Sequence, residues 1–452
     1  MTLSVLGTER FYRFAAAASA LLVFFALSLL YLYGDHGFYF ALLEYWGVDP
    51  FRFPFLDMNG ALAAWECARQ GIDVIVSDPC DVLKRPYNYS PIWMSWSGIP
   101  LGVADTPAVG WICGLLFLLS LGILPPPRRP LELILTVLAT LSASVVFAVE
   151  RGNPDILLFI LALATALSAE GGLAIRMIGY GVALLSALVK YYPLVTLVML
   201  VEERVPVFLL VSVAVILSLV IFGVAYHGEI ARTLPYIPHG GYIEGYFGAK
   251  NLPLQIGDIA AADFGPGAAL GNIVAAICLA FLGAGVVAIC RGFTMEGRLP
   301  AAMASLALRE RNLLVLGSAV MCGCFLLGQN IWYRAIFLLL VLPGLFAIAR
   351  TATSPRGYRW SLGTGVAIVF LMWEEFFRFG MLRLLHAAGA PAGQIAGFHF
   401  LFWIVREAIW WWVVAILLSI LVEFLRRSAL AGELMSWFRR FAARPAIRLG
   451  GK

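Results

Sequence analysis

The sequence predicts an all-α polytopic membrane protein, and three observations carry that prediction. The chain of 452 residues is 61% hydrophobic and only 13% charged, and its mean hydropathy is +0.88; a soluble domain carries roughly a quarter of its residues charged. Its apolar residues gather into separate runs of bilayer-crossing length. Its basic residues fall mostly on one side once those runs are counted off. This composition argues against a soluble enzyme, a disordered chain and a nucleic-acid-binding protein.

A spanning helix needs about 20 mostly apolar residues. Such runs lie at 11–33, 108–124, 131–149, 154–169, 173–189, 205–226, 265–290, 313–328, 335–349, 361–373 and 400–425. A shorter piece, 192–201, is stopped by Glu202, Glu203 and Arg204; because 191–226 is too long for one helix, it is counted as a further span. The total is about twelve by that length criterion. The first run is too long in its apolar stretch for a cleavable signal peptide, and no small-x-small cleavage site follows it.

Basic residues favour the cytoplasmic ends of spans. With the N-terminus inside and the spans alternating, the inside holds 20 of the 32 basic residues and 9 of the 27 acidic ones. The inside is then strongly positive and the outside negative, so the net charge of +5 reports orientation. Both termini are expected in the cytoplasm, the second followed by a basic tail at 426–452. Inside connections are short; the outside carries three long segments, 34–107, 227–264 and 374–399. Ordered loops on a rigid scaffold are where chemistry usually sits, so the site is expected to face outward.

Of the seven cysteines, Cys113, Cys278, Cys290, Cys322 and Cys324 lie in or beside spans and read as small apolar packers. Cys67 and Cys80 share the first outer loop, an oxidising location where a disulfide between them is plausible. No Cys/His spacing reads as a zinc site and no phosphate-binding glycine motif is present.

The scarce polar residues mark four places. In the first outer loop Asp57 follows the aromatic run Phe51-Arg52-Phe53-Pro54-Phe55 and opens a stretch, 58–69, that suits an amphipathic helix on the membrane surface. Asp57 is either the N-cap of that helix or a carboxylate in a semi-apolar pocket, suited to base work; Asn59 lies beside it. Downstream, Tyr87-Asn88-Tyr89-Ser90-Pro91 reads as an interfacial aromatic belt or as a platform for a sugar ring. Three junctions follow at outer-leaflet depth: Glu150-Arg151-Gly152-Asn153-Pro154-Asp155, Lys190-Tyr191-Tyr192-Pro193 and Gln329-Asn330-Ile331-Trp332-Tyr333-Arg334. In the first of them Arg151 and Asp155 are placed to pair with each other, or Asp155 to cap the next helix. A lysine at a helix end snorkels to the interface without further role, whereas Arg334, just inside an apolar run, is costly unless paired or functional. The second outer loop adds His239. The third offers Glu374, Glu375, Arg378, Arg383, His386 and His399, which read as a solvated face.

These elements, in this order, resemble the GT-C glycosyltransferases, and within them glycosyltransferase family 87, the bacterial mannosyltransferase-like group. The resemblance rests on Asp57 opening the first-loop helix, Gly71-Ile-Asp73, Tyr87-Asn-Tyr89-Ser-Pro91, Gly152-Asn153-Pro-Asp155, Lys190-Tyr-Tyr-Pro193 and Tyr333-Arg334 before Pro343. It covers residues 1–350 as a transmembrane catalytic module; 351–425 match only as further helices. The family often has Tyr-Pro-Pro where this chain has Tyr89-Ser-Pro91, and the Asp-Asp or Asp-Glu pair of metal-using relatives is absent at 57–58.

What the resemblance implies is a GT-C-like bundle of about twelve helices in a bacterial plasma membrane. It would transfer a sugar from a polyprenyl-phosphate donor to a glycolipid or glycan acceptor on the outer face, with inversion and without a metal or other cofactor. Asp57 becomes the base, a role worth about 10²–10⁴-fold. Arg334 and Lys190, with Arg151 and His239 in reserve, become the donor-phosphate ligands. Asn59, Tyr87, Tyr89, Asn153, Tyr191, Gln329 and Asn330 become the sugar or acceptor contacts, and grooves between helices hold the prenyl chain. Two other classes share the span count: a lipid-linked sugar flippase, which would show internal repeats and broken helices at mid-membrane, and an O-antigen-type ligase or polymerase, which would favour an outer loop dense in Arg and His.

Overall fold

The computed structural model describes residues 2–237, 245–264, 268–295, 298–352 and 354–442. Among these residues the fold is helical apart from two short strands, Tyr246–Phe247 and Asn330–Ile331, which pair antiparallel. Among the described residues eight helical stretches are long and apolar enough to cross a membrane: Arg10–Tyr33, Val103–Ile123, Pro130–Glu150, Val205–Ala225, Ala269–Thr294, Leu308–Leu327, Trp332–Thr351 and Ala392–Arg427. The protein is an all-α, multi-pass membrane protein. Helices Asp155–Ser168, Leu173–Val189 and Tyr192–Glu202 are apolar but shorter.

Packing sorts these elements by position. The central window of Trp332–Thr351 is 94% buried within the protein and that of Leu308–Leu327 is 83%, whereas Ala269–Thr294 is only 6% buried. The first two are the middle of the bundle. The last presents Leu270, Ile273, Ile277, Leu279 and Phe281 outward, an arrangement that a hydrocarbon surround makes favourable.

Two elements depart from a continuous α-helix. Pro130–Glu150 consists of two helices, Pro130–Thr140 and Ala143–Glu150, separated where Ser142 caps the second through Val145 N–H. Backbone carbonyls near the break gain indole donors: Trp46 Nε1 reaches Leu141 O at 2.9 Å and Trp373 Nε1 reaches Leu138 O at 2.8 Å. Second, Tyr192–Glu202 is a 3₁₀-helix of 11 residues. At a rise of about 2.0 Å per residue it is roughly 22 Å long, a third longer than an α-helix of the same residues. The short apolar run that the sequence counts as a span is therefore a stretched helix, still shorter than the eight long ones.

Polar groups gather at two opposite ends. Helix Asp155–Ser168 leads away from Asp155 to a far end where Arg309 pairs with Glu170 at 3.0 Å, Arg176 with Glu203 at 2.6 Å, and Arg350 with both Glu132 and Glu310 at 2.8 Å. Helix Leu173–Val189 returns from there to Lys190. All the far-end residues belong to the group that the charge count assigns to the inside.

Two sequence expectations are corrected by burial. The first-loop helix, Leu56–Arg69, does not lie on the membrane surface; Leu56, Met58, Leu62, Trp65 and both polar residues at its start are buried within the protein. Its low charge and Ala-rich composition suit a helix covered on several sides better than an amphipathic one. Likewise Glu374, Glu375 and Arg378 are not a solvated face: all three are buried. Glu374 accepts from Trp410 Nε1 at 3.2 Å, Glu375 pairs with Arg378 at 2.5 Å, and buried Arg406 donates to Glu407 at 2.8 Å. Arg406 also donates to Tyr246 O at 3.1 Å. That contact holds the small strand beside Asn330 and thus bears on the position of Arg334.

Candidate active site

The site is built where the first-loop helix meets the end of helix Ala143–Glu150. Phe55 precedes the helix in a left-handed conformation, φ 61° and ψ 34°, unusual for a bulky residue. Backbone contacts hold it there: Phe55 N–H donates to Glu150 O at 2.6 Å and Asp57 N–H to Arg151 O at 2.9 Å. Two glycines make room for its ring. A Cβ at Gly110 would lie 2.3 Å from Phe55 Cγ, and one at Gly152, itself at φ +55°, would lie 3.0 Å from Phe55 Cβ.

Asp57 thereby enters the first turn of the helix, one residue past its start, and its carboxylate does not cap it. The carboxylate instead accepts from Asn153 Nδ2 at 2.6 Å and lies 3.3 Å from Arg151 Nη2 and 3.7 Å from Arg85 Nη1. Asn153 is a bridge. Its Oδ1 accepts from Asp155 N–H at 2.9 Å and from Lys190 Nζ at 3.3 Å. Asp155, fully buried, takes Lys190 Nζ at 2.5 Å, the Tyr192 hydroxyl at 2.9 Å and Arg334 Nε at 3.1 Å. Arg334 also reaches Asn330 Oδ1 and lies over the Tyr192 ring.

The pairing in the first junction therefore differs from the sequence expectation. Arg151 pairs with Asp57, not with Asp155, while Asp155 pairs with Lys190 and Arg334. The sequence places these residues on three junctions and one loop; the structure joins them into one chain of contacts, Asp57–Asn153–Lys190–Asp155–Arg334. Arg151, Lys190 and Arg334 are three cations to the two carboxylates they pair with, a local excess that does not count the buried Glu150 beside Arg151. Arg85 adds little to that excess, because it is held by Asp81 through Nε at 3.0 Å and Nη2 at 2.9 Å. Arg151 Nε and Nη1 are buried without a hydrogen-bond partner among the described residues, with the Phe51 ring 4.2 Å from the guanidinium carbon.

The remaining expected contacts divide. Tyr89 lies under Lys190, with its ring centroid 5.8 Å from Nζ; burial, with Asp57 nearby, pushes its phenol well above the ordinary range and keeps it protonated. Asn330 orients Arg334 while its Nδ2 donates to Gly328 O at 3.0 Å and to Cys324 O. Asn59 turns from Asp57: it donates to Thr106 Oγ1 and accepts from Val82 N–H, both at 3.3 Å, and so ties the loop down. The Tyr87 hydroxyl is spent on Ser90 O at 2.8 Å. Tyr191 is 47% exposed, at the margin of the site. Gln329 reaches Asn251 Oδ1 at 3.4 Å. His239 lies outside the described residues.

The structure contains the Cys67–Cys80 disulfide, with Cα atoms 5.9 Å apart. Among the described residues the group of metal-ligand side chains that comes together is Cys67, Asp78 and Cys80, which is this disulfide and the aspartate beside it. Burial pushes the Asp78 carboxyl up to about 6.

One residue was missed by sequence reasoning. Glu150 is buried, and neither carboxylate oxygen has a hydrogen-bond partner among the described residues. It lines a cavity of about 920 Å³ whose walls come from helices Arg10–Tyr33, Thr106–Ser120 and Pro130–Glu150 and which reaches the site at Phe55 and Asn59. An acid followed at once by arginine in the sequence suggests a local pair, and that hides it.

Compared with known proteins, the chain matches no family model, no curated protein and no solved structure.

Proposed function

We propose that this protein is an integral-membrane glycosyltransferase of GT-C type. It moves a sugar from a polyprenyl-phosphate donor to a glycolipid or glycan acceptor at the outer face of a bacterial plasma membrane, with inversion. Its eight long helices, three shorter apolar ones and helix Pro355–Met372 form the bundle of about twelve spans, with both termini cytoplasmic. The observation that carries the reading is the Asp57–Asn153–Lys190–Asp155–Arg334 chain: a buried carboxylate, with Arg151 against it, linked through Asn153 to two further cations held by Asp155.

In this reading the acceptor hydroxyl gives its proton to Asp57 as its oxygen attacks the anomeric carbon. The bond from that carbon to the phosphate oxygen breaks, and the electron pair leaves with polyprenyl phosphate. Fixed cations in a desolvated site stabilise that developing charge better than water does. Arg334 and Lys190 supply it, each already oriented by Asp155. Arg151 exchanges its contact with Asp57 for the phosphate, which frees the carboxylate as the donor enters. Asn153 keeps Asp57 aimed throughout. The side-chain cations take the part that a divalent ion plays in metal-using relatives.

The test is transfer by the reconstituted protein from a prenyl-phosphate sugar in proteoliposomes. Asp57→Asn retains the shape and the Asn153 contact, so it is expected to bind donor normally and to lose about 10²-fold or more in turnover. A transferring Asp57→Asn variant overturns the assignment.

A further inference from the structure

The cavity beside the site differs in polarity from the site itself. Its walls are largely apolar, including Phe24, Leu27, Trp111, Val145 and Val149, and among the described residues Glu150 is the one charged side chain lining it. Glu150 is 6% exposed and both its oxygens lack a partner among the described residues. Ionised, it has lone pairs to fill; protonated, it has a donor and an acceptor to match. Either way the site as it stands leaves a strong hydrogen-bonding group unmet, which native structures rarely tolerate without a bound group. Arg151, its neighbour in the chain, is turned to Asp57. The Tyr39 phenol, also in the cavity wall, is kept protonated by burial and by the nearby Glu150 carboxylate.

An acyl or prenyl chain matches the walls and the volume. A phosphate headgroup does not match the carboxylate, because two anions in a desolvated place repel. A hydroxyl does match: it donates to the carboxylate and accepts from the Tyr39 phenol. We propose that this cavity is a lipid site distinct from that of the phosphate-bearing donor, taking the chain of a lipid whose head is an uncharged hydroxyl, with Glu150 receiving that hydroxyl. The cavity ends at Phe55 and Asn59, and Phe55 N–H donates to Glu150 O at 2.6 Å, so the cavity adjoins the segment that carries Asp57. That it is the acceptor's site rests on the glycosyltransferase reading; the binding itself does not.

The experiment uses the full chain in nanodiscs and two photoreactive probes, hexadecanol and hexadecyl phosphate, each with a diazirine on its chain. Crosslinked peptides from residues 10–33 and 106–120 report occupancy of the cavity. The alcohol is expected to label these peptides at least about tenfold more efficiently than the phosphate, as the loss of a charge-assisted hydrogen bond implies. Glu150→Leu is expected to lose that preference by losing the acceptor, and Glu150→Gln, which keeps an acceptor oxygen but not the charge that repels phosphate, to keep the alcohol labelling while the phosphate labelling rises towards it. Equal or better labelling of the unaltered protein by the phosphate, no labelling by either probe, or an undiminished preference in Glu150→Leu overturns the inference. Where the leucine variant does not fold, the two probes on the unaltered protein and the Gln variant decide. Sugar transfer has no part in this readout. A protein that labels as expected but transfers nothing fails only the glycosyltransferase reading, and one that transfers while its cavity prefers the phosphate fails only this inference.

Discussion

Asp155 holds the centre together, because it is fully buried and receives an amine, a guanidinium and a phenol. Removing one member of a buried charge group strands the others, at about 3–5 kcal/mol. Asp155→Ala is therefore expected to lower stability by that order in denaturant titration, with donor binding failing alongside. Arg334→Ala differs in kind: Asp155 keeps Lys190 and Tyr192, so the fold persists while donor affinity falls about tenfold or more, the worth of a charge-assisted contact to phosphate. Unchanged donor binding in a folded Arg334→Ala protein removes Arg334 from the phosphate site. At this scale the sequence identifies much of the cast. Asp57, Asn153, Lys190 and Arg334 are visible as polar residues stranded in an apolar chain. Who pairs with whom is not, since Asp57 and Asn153 are 96 residues apart and Asp155 and Arg334 are 179 apart. The local pairing of Arg151 with Asp155 is the reading that spacing invites and that the fold replaces.

Among the elements, the first outer loop is where reading and structure differ most. A stretch with both apolar and charged residues suggests a helix at an interface; whether a loop then covers it depends on long-range closure. Here the Cys67–Cys80 bridge closes that cover, with a sequence separation of 13, and the chain beyond it brings Arg85 to Leu56 O at 2.9 Å and to Asp57. For a loop of this length the bridge contributes about 3 kcal/mol in the chain-entropy account. Cys67→Ser with Cys80→Ser is thus expected to unfold at lower temperature and to weaken the Asp57 site along with the loop. The adjacent Asp78 adds a pH dependence. Its carboxyl is raised to about 6 by burial, so the folded loop holds its proton more tightly than the unfolded chain does. That contribution favours folding below about pH 4, near the free carboxyl value, and is lost as pH rises through 6. Asp78→Asn keeps an oxygen for the Cys80 and Asp81 N–H groups. Its stability should exceed that of the unaltered protein at pH 7, with the difference closing towards pH 4; a gap that does not change with pH contradicts the assignment.

For the molecule as a whole, the all-α multi-pass class follows from hydropathy because a bilayer makes the same demand of every crossing segment, whereas of the apolar runs counted in the sequence only eight are helices long and apolar enough to cross among the described residues. The stretched 3₁₀ segment Tyr192–Glu202 and the break before Ala143 are set by packing and escape such a reading. Orientation is a global property too, and the two polar ends give it a physical form. The far end carries Glu132, Arg350 and Glu310 as a linked group, with the arginine-bearing loops that the positive-inside tendency expects on the cytoplasmic side. The opposite end carries Asp57 and the disulfide, a bond of oxidising compartments. Gly98 and Gly172 are suitable reporters, because each is exposed and a Cβ added there meets nothing within 4 Å. Gly98 follows the first-loop helix on the Asp57 side, held near Arg69 through Ser97 O and Ile99 O; Gly172 joins the two helices at the Glu170 end. In intact cells a membrane-impermeant maleimide is expected to label Gly98→Cys at once and Gly172→Cys only after permeabilisation. The reverse pattern would turn the protein over in the membrane and move the Asp57 centre to the cytoplasmic face, where the proposed outer-face transfer could not take place.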